Sequence, residues 1–164
     1  MAEHAWIRGA QKGSVDDLEQ LFRAHWPRAF RAARLVTGDA AAAEDIAQEA
    51  FLAAVRNLER FDRRRPFGPW LHRIVVNRAI DWTRARRLRA EVELGDQLPA
   101  PDAPEPGEGT LARIAGLPPD HRAVVVLRYV LEYTPGEIAE LLDLPRGTVN
   151  SRLRRGLDRM RDDP

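Results

Sequence analysis

Apolar residues in the first half of the chain recur every three or four positions, as they do on one face of an α-helix. This spacing predicts a first helix ending near Gly38, a second starting near Ala41, and a third starting near Trp70. The apolar stripe of the second helix is Ile46, Ala50, Phe51, Ala54, Val55 and Leu58. Between the second and third helices, residues 61–69 contain two prolines and a glycine, which predict an irregular segment.

The second half carries a sharper local signal, a helix start at Thr134. Thr134 is a suitable N-cap, Pro135 fits the first helical position, and Glu137 completes a capping box. Residues 143–145 end this short helix, and another begins near Gly147. The apolar positions of the later helix are Val149, Leu153, Leu157 and Met160. Two short helices with a tight turn between them are typical of a helix-turn-helix.

A proline-rich acidic segment separates these two halves. Residues 90–110 contain four prolines and little that could be buried, which is typical of a linker. No alternating pattern of β-strands is present. The sequence therefore predicts an all-α fold with two small helical domains, at residues 14–89 and 111–161, the second ending in the helix-turn-helix.

The net charge of +1 conceals a strong separation of charge. Residues 51–90 contain eleven arginines and three acids, whereas residues 91–110 contain six acids and no base. Such blocks indicate a polyanionic partner for the basic one. An ordinary solvated, arginine-rich surface explains the same composition, and charge alone leaves both interpretations open.

Composition argues against several classes of protein. The chain has no cysteine, its four histidines are scattered, and no apolar run is long enough to span a membrane. An enzymatic interpretation would use Glu44, Asp45 and Glu49, but these acids lie on one exposed helix with no histidine nearby. We therefore predict a cytoplasmic protein with no catalytic residue, cofactor, metal site, membrane insertion or small-molecule substrate.

The last helix has a polar face suited to duplex DNA. Its outward residues are Arg146, Thr148, Asn150, Ser151, Arg154 and Arg155. Asparagine can pair with adenine and arginine with guanine in the major groove, while other arginines neutralise phosphates. A helical hairpin that binds a protein, with solvated arginines, is the alternative.

A second basic surface surrounds the irregular segment and continues along the third helix. Its residues are Phe61, Arg63, Arg64, Arg65, Phe67, Arg73, Asn77 and Arg84. Basic groups beside aromatic rings suit unpaired DNA, because the basic side chains can contact the phosphate backbone while the bases stack on the rings. Alternatively, Phe61, Phe67 and Trp70 simply form the core beneath a loop.

The second helix presents a different face. Asp45, Gln48, Glu49 and Leu52 lie at helical offsets 0, 3, 4 and 7, opposite the apolar stripe. An acidic face with one apolar residue is unsuited to DNA and matches a basic partner helix.

In their order along the chain, these segments resemble the extracytoplasmic-function (ECF) group of bacterial RNA polymerase sigma factors. The resemblance is carried by residues 45–51, 67–81, 117–119 and 133–153. It implies a region 2-like domain at the N-terminal end and a region 4-like domain at the C-terminal end.

The resemblance also implies partners and roles. Asp45, Gln48 and Glu49 would contact the β′ clamp helices of core RNA polymerase. The loop at 61–67 and Asn77 would hold a flipped base of the −10 element. The −35 element would be faced by Thr148, Asn150, Ser151, Arg154 and Arg155. An anti-sigma factor would restrain activity.

Two other functional classes remain open at this level. One is a free-standing helix-turn-helix regulator that dimerises through its N-terminal helices and binds a palindromic duplex. The other is a helical adaptor without a role on DNA. The acidic face beside a basic aromatic loop disfavours the first, and the arginine-rich block disfavours the second.

Overall fold

The computed structural model describes residues 2–94 and 109–162, and every regular element in these ranges is helical. The elements are α1 (Ala2–Gln11), α2 (Val15–Thr37), α3 (Ala40–Arg56), a 3₁₀ turn (Leu58–Arg60), α4 (Phe67–Leu94), α5 (Gly109–Ala115), α6 (Pro119–Val125), a π turn (Val126–Val130), α7 (Pro135–Leu142) and α8 (Arg146–Asp162). The predicted all-α fold is confirmed. Most of the predicted linker, residues 95–108, lies outside the described residues.

Helices α2, α3 and α4 pack against one another to form the first half. Small side chains let their backbones approach closely, since six alanines of α2 and α3 are completely buried: Ala29, Ala32, Ala33, Ala43, Ala47 and Ala50. Larger apolar side chains from α4, among them Leu71, Val75 and Val76, fill the remaining core. The buried stripe leaves the opposite face of α3 in solvent, as the hydrophobic pattern predicts. Val55 was placed in this stripe incorrectly, because it follows Ile46 by nine residues, or about two and a half turns, and so lies on the opposite face, where it is 39% exposed.

Two helices differ from the sequence prediction. Helix α1 was not expected, because its ten residues bury only Ile7 completely and form no long apolar stripe. Helix α4 begins at Phe67 rather than near Trp70 and continues to Leu94, into the predicted linker. Pro69 is accommodated because a proline in the first helical turn removes no intrahelical hydrogen bond.

The helix-turn-helix of the second half is confirmed in its local chemistry. Thr134 Oγ1 accepts from the backbone N–H of Glu137, whose carboxylate accepts in return from the N–H of Thr134, at 3.2 and 3.0 Å. Asp143 ends α7 in the left-handed conformation, with φ of 54°. In α8 the expected inward residues Val149 and Leu153 are buried.

One inward position of α8 was predicted incorrectly. Leu157 is 39% exposed, and its neighbour Gly156 is buried instead. A Cβ atom at Gly156 would lie 2.9 Å from Cγ2 of Val125, so this glycine allows α8 to approach α6 closely.

Replacing Gly156 with alanine is therefore expected to destabilise the protein by about 1–2 kcal/mol, because overpacking outweighs the higher helix propensity of alanine. Gly147→Ala is the matched control on the same helix, since a Cβ there meets nothing within 4 Å. It should stabilise by up to about 1 kcal/mol. Urea unfolding of both variants checks the pair, and equal effects would contradict the packing argument.

Polar contacts join the two halves across a shared hydrophobic core. The buried Arg122 guanidinium of α6 donates to the carbonyl of Val36 on α2 at 2.7 Å. Arg28 donates to the carbonyl of Leu131 at 2.8 Å. His72 Nδ1 and the Tyr133 hydroxyl are 2.6 Å apart. These contacts hold α6, the π turn and α7 against α2 and α4 in a closed arrangement.

His72 makes this closed arrangement sensitive to acid. Burial, with a smaller effect of Arg28, lowers the pKa of His72 from 6.5 to about 4. The imidazole therefore stays neutral in the folded protein at a pH where the unfolded chain binds a proton, so stability falls as the pH drops below about 6.5.

As the pH falls from 7.5 to 5, we expect the free energy of unfolding to decrease by about 2 kcal/mol because of the lowered pKa of His72. The His72→Gln variant keeps a side chain that can form hydrogen bonds but does not titrate. Its free energy of unfolding should therefore not show this decrease. Urea unfolding of both proteins at the two pH values measures the difference. Identical pH dependence would show that His72 does not contribute.

Candidate protein and nucleic-acid interfaces

The exposed face of α3 is continuous and acidic. All four residues predicted to contact a basic partner helix lie on the surface: Asp45, Gln48, Glu49 and Leu52. Leu52 is 54% exposed, which is unusual for a leucine on an otherwise well-packed helix. Glu49 makes one contact with the next helix, an exposed ion pair with Arg78 at 3.3 Å. This face combines negative charge with one exposed apolar side chain, which suits a basic helix carrying an apolar residue.

The irregular segment between α3 and α4 forms one wall of a groove of about 480 Å³. The groove is lined by Asn57, Arg60, Phe61, Asp62, Arg65, Trp70 and Ile74. Its floor is aromatic, since the rings of Phe61 and Trp70 lie with their centroids 4.7 Å apart. Its rim carries the cations Arg60 and Arg65. An aromatic floor under a cationic rim can accept a base by stacking while the cations meet phosphate groups.

A compact turn shapes this segment, which we call the 61–67 loop. Asp62 accepts hydrogen bonds from the backbone N–H of Arg64 at 3.0 Å and from its guanidinium at 3.0 to 3.3 Å. The side-chain hydrogen bond from Arg64 lowers the pKa of Asp62, so the carboxylate stays ionised. All three consecutive arginines are exposed, but they are not equivalent, because Arg64 pairs with Asp62 within the loop.

The two phenylalanines are buried, which agrees with the alternative interpretation of them as core beneath the loop. Phe67 is only 3% exposed and lies in the core beside His25, so it supports the loop from beneath. Phe61 lines the groove but is only 7% exposed, so little of its side chain is accessible there. Trp70, interpreted from the sequence mainly as core, is only partly buried and lines the groove.

The remaining basic-surface residues lie along α4. Arg73 and Asn77 are exposed and flank Ile74, which lines the groove. Arg84 is exposed as predicted, but its guanidinium forms an ion pair with Asp120 of the second half at 2.5 Å. Arg84 is therefore engaged in the closed arrangement.

Sequence reasoning missed several lining residues of the groove. Asn57 and Arg60 precede the segment that was singled out, and Asp62 was counted only as a charge. Asn57 directly follows the last residue of α3, and asparagine is one of the residues found at helix ends. That signal could have marked Asn57 as a residue on the rim of the groove.

The outward face of α8 is polar and accessible. Arg146, Asn150, Arg154 and Arg155 are exposed, and Thr148 and Ser151 are partly exposed. Helix α8 packs through its opposite side on α6 and α7. Its first turns therefore present amide, hydroxyl and guanidinium groups together, as a recognition helix does in the major groove.

Among the described residues, no group of three or more acids and histidines is placed to hold a metal ion. None of the described helices combines the length and the apolar character needed to cross a bilayer.

Both halves of the chain match models of a known protein family. Residues 21–89 match the family model Sigma-70 region 2, and residues 110–160 match Sigma-70, region 4. The chain is 33% identical to the ECF RNA polymerase sigma factor SigW of Bacillus subtilis (strain 168), over 94% of this chain and 92% of SigW.

Two solved structures share the fold. CnrH, in a complex with the cytosolic domain of CnrY, has a TM-score of 0.73 at 28% identity, over 98% of this chain and 96% of CnrH. RpoE from Bartonella quintana, in a complex with the anti-sigma factor NepR, has a TM-score of 0.73 at 20% identity, over 92% of this chain and all of RpoE. The match to SigW extends across both halves, so the chain belongs to the extracytoplasmic-function group of the sigma-70 family of RNA polymerase sigma factors.

Proposed function

We propose that this chain binds core RNA polymerase and directs promoter-specific initiation by recognising a −10 and a −35 element. The observation that carries the proposal is the separation of three chemically different surfaces on one chain. They are the acidic face of α3, the aromatic and cationic groove beside α4, and the polar face of α8.

The face of α3 is proposed to dock on the β′ clamp helices through Asp45, Gln48, Glu49 and Leu52. Docking on a large partner fixes the position of both DNA-reading surfaces, so that two modest affinities combine through effective concentration. Neither half then needs to bind promoter DNA tightly alone.

The groove is proposed to capture an unpaired base of the −10 element. Trp70 supplies the stacking surface, and stacking on an aromatic ring contributes about 1–3 kcal/mol per base. Arg63, Arg65, Arg73 and Asn77 are proposed to follow the backbone of the same strand. Capture offsets the few kcal/mol that unstacking a base costs, so melting becomes favourable at the bound site.

The face of α8 is proposed to read the −35 duplex. Asn150 and Arg154 lie one turn apart and are both exposed, so they can reach base edges, while Arg146 and Arg155 meet phosphates. Thr148 and Ser151 add two hydroxyl groups to the same face.

The closed arrangement is proposed to be the inactive form. The two elements are centred about 25 base pairs apart, which is about 85 Å of B-DNA. A compact chain of this length has a radius of gyration of about 15 Å, so a closed molecule is too small to reach both elements. Residues 94 and 109 can separate by at most about 50 Å, which lets the halves part without breaking the chain. Opening must release Arg84 from Asp120.

Regulation by an anti-sigma factor is part of the proposal. RpoE of Bartonella quintana is bound to an anti-sigma factor in its solved structure, and CnrH is bound to a domain of CnrY. A protein that binds the closed form more tightly than the open form would shift the population towards the closed form and so inhibit transcription.

Run-off transcription tests the proposed function. Purified chain is combined with core polymerase and fragments of the source genome, and transcript starts are mapped. We expect a small set of start sites preceded by shared −10 and −35 sequences and absent without the chain. Transcription without such sites would contradict the proposal.

A further inference from the structure

Helix α1 lies before the segment that matches the region 2 family model, yet it is packed into the domain. It contacts α2 and the 3₁₀ turn Leu58–Arg60, and Ile7 at its centre is 1% exposed. The 3₁₀ turn leads directly into the 61–67 loop. Helix α1 therefore sits at the base of the loop that forms one wall of the groove.

The C-terminal end of α1 holds the start of the loop. The side-chain amide of Gln11 donates to the carbonyl oxygen of Leu58 at 2.9 Å and to that of Phe61 at 3.2 Å. One side chain thus satisfies two carbonyls, at the beginning of the 3₁₀ turn and at the first residue of the loop. The partners are 47 and 50 positions apart in sequence, so this is a tertiary contact.

The N-terminal end of α1 supports the other end of the loop indirectly, through His25 of α2. Glu3 is hydrogen-bonded to Nε2 of His25 on α2. The ring of His25 lies 5.0 Å from that of Phe67, centroid to centroid. A Cβ atom at Gly68 would be 3.6 Å from Cε1 of the same histidine. Glu3 therefore fixes the ring against which the loop's last residue packs.

We propose that α1 is a clamp that holds both ends of the 61–67 loop in the conformation that captures the −10 strand, with Gln11 and Glu3 as positioning residues. This rests on the function proposed above. A loop already ordered before DNA arrives loses less conformational entropy on binding, so the clamp increases discrimination at the captured base. Neither residue needs to touch DNA.

Gln11→Glu tests the clamp, because the substitution keeps the size of the side chain but removes both N–H donors. Gln20→Glu is the control, with the same change at an exposed position of α2. Both variants are assembled with core polymerase on promoter fragments identified by transcript mapping. We measure the yield of open complexes on two promoters, one with the natural −10 element and one with an abasic site at the position of the captured base. The readout is the ratio of the first yield to the second. A variant that merely folds less well lowers both yields and leaves this ratio unchanged.

For Gln11→Glu we expect the ratio to fall about 10-fold, amide hydrogen exchange of residues 58–67 to accelerate, and core affinity to stay the same. The control should match the wild type. An unchanged ratio, or unchanged exchange in the loop, would overturn the clamp. A wild-type chain that does not discriminate at the −10 element would instead overturn the proposed function, and the exchange measurement would still decide whether Gln11 holds the loop.

Discussion

Replacing both Asp45 and Glu49 with arginine is expected to weaken binding of the chain to core RNA polymerase by at least about 100-fold. Both carboxylates are exposed on one face of α3, so the substitutions turn attraction to a basic helix into repulsion. Like charges brought together at an interface cost several kcal/mol, which is enough for a loss of this size. A pull-down with purified core polymerase measures the effect.

The control for this variant is Glu91→Arg with Glu93→Arg. It makes the same change in net charge at two exposed positions near the end of α4, where added positive charge suits the helix dipole. The control should retain core binding, and circular dichroism should show both variants folded. If the α3 variant still binds core polymerase, the docking face has been assigned to the wrong surface.

Replacing Asn150 and Arg154 with alanine should reduce transcription from a promoter with a −35 element by about 100-fold. Both side chains are exposed in the first half of α8, and each good contact to a base edge contributes about 1–3 kcal/mol. Neither side chain is buried, so stability should change little. Run-off transcription on the natural promoter, and on one with a scrambled −35 sequence, separates recognition from other losses.

Gln20→Ala with Arg161→Ala removes the same kinds of group from exposed positions elsewhere and should leave transcription unchanged. The α8 variant should lose activity on the natural promoter and little on the scrambled one. An equal loss on both promoters would mean that these residues do not read the −35 sequence.

Local chemistry made parts of the fold predictable. The capping box at Thr134 and Glu137 depends on residues three positions apart, so it can be found by inspection. The exposed face of α3 follows in the same way, because helical geometry sets its residues opposite the buried Ile46 and Phe51.

Contacts between distant residues could not be predicted. Burial of Phe61 and Phe67 depends on the rings that surround them, and the sequence alone does not tell whether an aromatic side chain near a loop turns inward. His72 and Tyr133 are 61 positions apart, and nothing near either residue indicates the other. Helix α1 was missed for the same reason, since a ten-residue helix is stabilised mainly by tertiary packing.

We infer that the chain selects DNA only when it is bound to core polymerase. Fluorescence anisotropy tests it with a labelled promoter fragment and, separately, with symmetric duplexes built from its −35 half-site. Each DNA is titrated with the chain alone, core polymerase alone, and the two together. We predict sequence-specific binding of the promoter by the combination and only weak, salt-sensitive binding by the chain alone. Tight, specific binding of a symmetric duplex by the chain without polymerase would contradict the account.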